Sequence, residues 1–292
     1  MNHPSPSYDA LLIVAHGSTS ADGVKEILGI VPELRALVDE HVRVEVGFLE
    51  LAEPPAITVA MELAESGARH IVVVPLMLNA AGHARSDVPA VVLTARNRYP
   101  DVTFTYAEPL GKEFALLERG RDALQTAGGT GKPLLVFFRG ASEPSANAQS
   151  YEITRLLAEL NESRSCFTGF SGITWPSIDE ALAQLHAVGH REFAVLSWFL
   201  ATGVLVDRIN DAVTTFAHTH HLVVRNAGHL GINRAIAELV IERADAAVKG
   251  AVQTPCDLCA YRRPYPGLIE RIGAPRGQGH SHFADEHLHS HR

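Results

Sequence analysis

A chain of 292 residues, 46% hydrophobic and 20% charged, has the composition of a folded protein with room for about two domains, not of a disordered one. A formal charge of −8 excludes a general nucleic-acid binder, which needs a basic face, and three cysteines are too few for a disulfide framework. No apolar stretch approaches the roughly 20 residues that span a bilayer, and Met1 to Asp9 lacks the basic-then-apolar signature of a signal peptide, so a cytoplasmic protein with no membrane partner is expected.

In chain order, short runs rich in Val, Ile and Leu predict strands at Leu11–Ala15, Val42–Leu49, Ile71–Leu78, Val102–Ala107, Leu134–Phe138, Phe193–Leu200 and Leu222–Arg225. They do not alternate polar with apolar, as expected for parallel strands buried on both faces. Segments of helical period lie between them. Residues 22–40 read as a helix that Pro32 should kink or split. Residues 55–67 and 176–189 each end on a glycine placed as a C-cap, Gly67 and Gly189. Strand and helix alternate throughout, which predicts an α/β fold of parallel sheets flanked by helices.

The pattern occurs twice, about 120 residues apart, a spacing that suits a duplicated domain. Leu11-Leu12-Ile13-Val14-Ala15-His16-Gly17 matches Leu134-Leu135-Val136-Phe137-Phe138-Arg139-Gly140, and Leu110-Gly111 matches Leu230-Gly231. Gly128-Gly129-Thr130-Gly131 reads as the linker. The expected division is an N-terminal lobe over 1–128, a second lobe over 132–253 and a tail over 254–292.

Ligands of open parallel sheets bind beyond the carboxyl ends of the strands. His16, Glu50 and His83 each follow a predicted strand at that end. Two imidazoles and a carboxylate suit a divalent first-row metal, and equally acid–base chemistry near neutral pH. Gly17 and Gly82 beside the histidines would let a ligand approach the backbone. In the second copy Arg139 stands for His16, Val204 for His83, and Ser171-Gly172 lies near the place of Glu50, so that half is expected to lack metal chemistry.

The strings AHGS (15–18), GFLELAEPP (47–55) and VVVPLMLNAAGHARSDVP (72–89) resemble the sirohydrochlorin chelatases of cobalamin and sirohaem synthesis. The resemblance covers roughly residues 9–250. It implies a class II chelatase fold, two α/β lobes with a cleft between them, and insertion of Co²⁺ or Fe²⁺ into sirohydrochlorin. Carried over by position, His16 and His83 handle the metal and Glu50 is their acidic partner. A substrate with many carboxylates implies a basic rim, for which Arg85, Arg139 and Arg208 are the candidates.

Two other readings use the same residues. One is a non-catalytic protein that binds and delivers divalent metal. The other is a histidine phosphatase, whose Arg-His-Gly is here Ala15-His16-Gly17, without the phosphate-binding arginine. In the tail, Cys256 and Cys259 form one CxxC. An iron–sulfur centre there, which some members of the family carry, would need further ligands, so ordinary thiols are expected. His280, His282, His287, His289 and His291 suggest loose metal binding, and His218, His220 and His221 read as a solvated helix end.

Overall fold

The computed structural model describes residues 8–250. Its first sheet holds β1 (Ala10–Ala15), β2 (Arg43–Phe48), β3 (His70–Pro75) and β4 (Thr103–Tyr106) in the order β2-β1-β3-β4. The second holds β5 (Leu134–Phe138), β6 (Cys166–Phe170), β7 (Glu192–Ser197) and β8 (Val223–His229) in the matching order β6-β5-β7-β8. All neighbours pair in parallel. The helices are α1 (Ala21–Leu28), α2 (Ile30–Arg35), α3 (Ala56–Glu65), α4 (Gly82–Arg85), α5 (Asp87–Arg98), α6 (Phe114–Thr126), α7 (Pro144–Leu160), α8 (Ile178–Ala187), α9 (Val204–His220) and α10 (Arg234–Val248). Among the described residues no helix is long and apolar enough to cross a membrane.

The strands are apolar on both sides because each sheet separates two cores. Leu11, Ile13, Val72, Val74, Leu134, Val136, Ala194 and Leu196 face one continuous cluster shared by both lobes. Their neighbours Leu12, Val14, Ile71 and Val73 face a separate outer core under α3 and α5. Leu135, Phe137, Phe193 and Val195 face the corresponding core under α8 and α9. The period-two alternation of side chains therefore sorts residues between two cores rather than between core and water.

The predicted break in residues 22–40 falls at Gly29, between α1 and α2, while Pro32 sits in the first turn of α2, where its missing N–H costs no hydrogen bond. β6 lacks an apolar run and was not expected. Its Gly169 is required by packing, because a Cβ there would lie 2.5 Å from the Phe137 ring.

The halves exchange their last helices. α6, at the end of the first half, packs on β7, β8 and α7 of the second sheet, and α10 returns to pack on α2, β3 and β4 of the first. Arg243 on α10 secures this return, donating to the carbonyls of Pro109 (3.0 Å) and Leu110 (2.8 Å) and pairing with Glu113. The shared core and the exchanged helices tie the two sheets together around the cleft between them.

Candidate active site

A cleft of about 420 Å³ lies at the carboxyl ends of both sheets. It is lined by the segments that follow β1, β3, β5 and β7, with Leu76, Met77, Phe138, Trp198 and Phe199 giving it a largely apolar wall.

His16 and His83 line the cleft, and Glu50 lies beside them. One candidate ligand atom from each lies within 4.8 Å of the other two, and among the described residues this is the one such group of three or more. Zinc-like ions sit about 2.0–2.2 Å from imidazole and carboxylate ligands, so modest side-chain rotation would close the trio on one ion. The two imidazoles meet edge to face, centroids 4.5 Å apart and planes at 84°.

His16 leaves the end of β1, and Glu50 is brought beside it by backbone pairing that continues past the strands, Glu50 N–H donating to His16 O at 3.0 Å. Gly17 makes this possible. With φ of +100° it tucks under the Glu50 carbonyl, and a Cβ would fall 1.7 Å from that oxygen. Gly17 thus serves the protein's own chain rather than ligand approach, whereas a Cβ on Gly82 would meet nothing within 4 Å.

His16 Nε2 is buried, 3.1 Å from Glu50 Oε1, within ion-pair range but not aligned as a hydrogen bond. Burial, followed by the charge of His83, holds the His16 imidazole below the usual histidine range. Glu50 opposes this and Arg139 adds to it. His16 is therefore a neutral imidazole with an available lone pair at neutral pH.

His83 comes from α4, a single turn. The Tyr106 hydroxyl donates to Ala84 O and pins α4 to the end of β4; burial, and secondarily Glu108, holds this phenol protonated, well above its ordinary range. The chain then breaks at Ser86 before α5 begins at Asp87, whose carboxylate engages His83 Nδ1. That contact occupies Nδ1 and leaves Nε2 as the ring nitrogen that could hold a ligand. Asp87 was missed as a site residue, although its place four residues after His83 was the available signal.

The second lobe repeats the scaffold without the ligands. Arg139 occupies the place of His16 and lines the cleft. Gly140 (φ +85°) approaches Gly172 O as Gly17 approaches Glu50 O, making Gly172 the counterpart of Glu50. Leu76 N–H donates to Val14 O and Trp198 N–H to Phe137 O, which fixes the register after β3 and β7. In that register His83 corresponds to Leu205, not to Val204. The one-residue difference arises because α9 starts directly after Gly203, as α4 does after Ala81.

The arginines divide three ways. Arg139 borders the cleft. Arg85 turns toward the other lobe, its Nη1 3.7 Å from Oε2 of the buried Glu143 and its Nη2 3.5 Å from Ser145 Oγ. Arg208 is exposed on α9 and is not among the cleft-lining residues. Cys256, Cys259 and the tail histidines from His280 to His291 lie outside the described residues.

Duplicated parallel α/β lobes, with two histidines and a glutamate grouped at one side of the cleft between them, define a two-lobed protein of the class II chelatase type. The chain belongs to the CbiX family, whose model matches residues 10–127 and again residues 133–247, once per half. It is 32% identical over 270 residues to the sirohydrochlorin cobaltochelatase of Priestia megaterium, covering 90% of this chain and 87% of that one. It is 28% identical over 236 residues to the sirohydrochlorin ferrochelatase of the same organism, covering 80% and 88%. Among solved structures it resembles SirB from Bacillus subtilis with Fe³⁺, at a TM-score of 0.73 and 25% identity, over 82% of this chain and 97% of that one.

Proposed function

We propose that this protein is a sirohydrochlorin chelatase that inserts Co²⁺ or Fe²⁺, with His16, His83 and Glu50 of the first lobe as its catalytic residues. The observation that carries this reading is the convergence of those three side chains at a largely apolar cleft, which His16 and His83 line. The names of the similar proteins supply the substrate, and they favour catalysis over metal delivery alone.

Metal insertion needs an ion that exchanges its ligands and a tetrapyrrole that gives up two pyrrole N–H protons. His16 and His83 bind the ion through neutral imidazole nitrogens, which are good ligands for iron and cobalt and carry no charge to repel it. Glu50 adds one negative charge, offsetting part of the ion's own, and its carboxylate accepts a pyrrole proton as the ion transfers. The second proton passes to an imidazole once its lone pair is released from the metal. The apolar wall receives the flat face of the macrocycle and excludes water from the exchange. Arg139, on the opposite lobe, meets a peripheral carboxylate, and its position across from the trio orients the ring over the metal. With no spanning helix among the described residues, a cytoplasmic setting fits this biosynthetic role.

The test is to mix the protein with sirohydrochlorin and Co²⁺ or Fe²⁺ and follow the absorbance change of the macrocycle. Insertion faster than the protein-free reaction is expected with at least one of the two ions. Equal rates with and without protein for both ions would overturn the proposal.

A further inference from the structure

A second pair of histidines lies at the opposite end of the second lobe. α8 and α9 both run away from the cleft, so their last turns meet near the amino-terminal edge of the second sheet. His186 is in the last turn of α8 and His220 in the last turn of α9. Of the cluster expected to be a solvated helix end, His218 and His221 are exposed at the end of α9 as expected, and His220 alone turns inward. The rings of His186 and His220 are half-buried against Phe216, whose ring lies 5.9 Å from His186 and 4.2 Å from His220, centroid to centroid.

The two imidazoles are 4.6 Å apart with planes at 45°, almost the separation of His16 and His83, which is 4.5 Å. Two imidazoles bound at about 2.1 Å to one ion, roughly at right angles, place their ring centroids about 4.5 Å apart. His186 also keeps Nδ1 buried without a hydrogen-bond partner, and Phe216 beside it has no polar atom to offer. Both rings lie at helix C-termini, where the backbone carbonyls present partial negative charge and favour a cation. Since the cleft trio is the one group of three or more candidate ligands among the described residues, the protein would supply two ligands here and water the others.

We propose that His186 and His220 form a second divalent-metal site, separate from the chelation cleft, for an imidazole-preferring cation such as Ni²⁺, Co²⁺ or Cu²⁺. A two-nitrogen site of this kind discriminates against Mg²⁺ and Ca²⁺, which require oxygen ligands. It also differs from structural zinc, which requires four protein ligands.

Equilibrium dialysis of the full chain against Ni²⁺ tests this. His186→Gln and His220→Gln are each expected to bind one equivalent fewer than the wild type, and His218→Gln the same number. The rise in melting temperature caused by Ni²⁺ should shrink in the first two variants alone. Insertion of Co²⁺ into sirohydrochlorin at saturating Co²⁺ should be unchanged in both. Crystals of the wild-type chain soaked in Ni²⁺ should show anomalous density between the two rings, a readout that does not depend on how any variant folds. Equal Ni²⁺ stoichiometry in wild type, His186→Gln and His220→Gln, or anomalous density confined to the cleft or the tail, would overturn the site.

Discussion

The Asp87 carboxylate engages Nδ1 of His83 across the break between α4 and α5, so it is Nε2 that the ring can offer to a ligand. Carboxylates in this relation fix the tautomer and orientation of a ligating histidine, and their loss typically weakens metal affinity about 10–100-fold. Asp87→Ala is therefore expected to raise the KM for Co²⁺ by about that factor while lowering kcat less. Initial rates across a Co²⁺ titration measure this. An unchanged KM would show that the packing of α4 alone orients His83.

Gly17 and Gly82 neighbour the two histidines but differ in what they permit. Gly17→Ala puts a Cβ into the Glu50 carbonyl at a left-handed backbone position. It should cost 2 kcal/mol or more in stability and displace Glu50, on the order expected for strain at a special backbone conformation. Gly82→Ala meets open space at the first position of α4 and is expected to leave stability within about 1 kcal/mol of wild type, on either side. Thermal melts of the two variants make the comparison.

His16 is held below the ordinary histidine range, first by burial and then by the charge of His83, with Arg139 adding to the effect and Glu50 opposing it. A lowered pKa keeps the imidazole neutral to lower pH, so the acid limb of the insertion rate should lie below pH 6.5, the unperturbed histidine value. Removing Arg139 relieves part of the depression. Arg139→Gln should move the limb toward higher pH, besides raising the KM for the carboxylate-rich substrate. A pH profile of kcat/KM for both proteins checks the sign, and a limb shifted toward lower pH would contradict it. The same depression bears on folding. As pH falls through the unfolded histidine pKa, the unfolded chain takes a proton that the native His16 refuses, so this residue's contribution destabilises the fold in mild acid.

Arg85 joins the lobes through Glu143, which is only 3% exposed. Arg85→Ala removes a cation beside that buried carboxylate and should destabilise the fold by up to about 3–5 kcal/mol, the range for breaking a buried pair. Chemical denaturation should show that loss, whereas Arg208→Ala, on an exposed face, should be nearly neutral. A small effect of Arg85→Ala on stability, with a large rise in the KM for sirohydrochlorin, would instead assign Arg85 to the substrate.

How far the sequence leads differs from residue to residue. His16, Glu50 and His83 are legible because each lies in a segment that follows a strand, His16 directly, Glu50 two residues on and His83 in α4 after β3, and parallel topology sends every strand exit to one edge. The duplicated order of elements is legible for the same reason, since buried strands leave continuous apolar runs. β6 is hidden because Thr168 and Gly169 interrupt its run, and Gly169 is dictated by the ring of Phe137 on the neighbouring strand. The helix exchange is hidden because the apolar faces of α6 and α10 show only that each helix packs on a sheet, not on which one. Arg85 sits beside the site in sequence, but a long side chain can turn either way, and here it follows the buried Glu143. That Leu205, not Val204, matches His83 is not legible in the sequence, since the backbone pairing of Leu76 and Trp198 sets the register.

The most direct measurement is the initial rate of Co²⁺ insertion into sirohydrochlorin by wild type, His83→Ala and His220→Gln at saturating metal, with circular dichroism to verify that each is folded. The first-lobe trio predicts that His83→Ala falls to near the spontaneous rate while His220→Gln keeps the wild-type rate. A folded His83→Ala that inserts cobalt at the wild-type rate would contradict the assignment of chelation to the His16, Glu50 and His83 cleft.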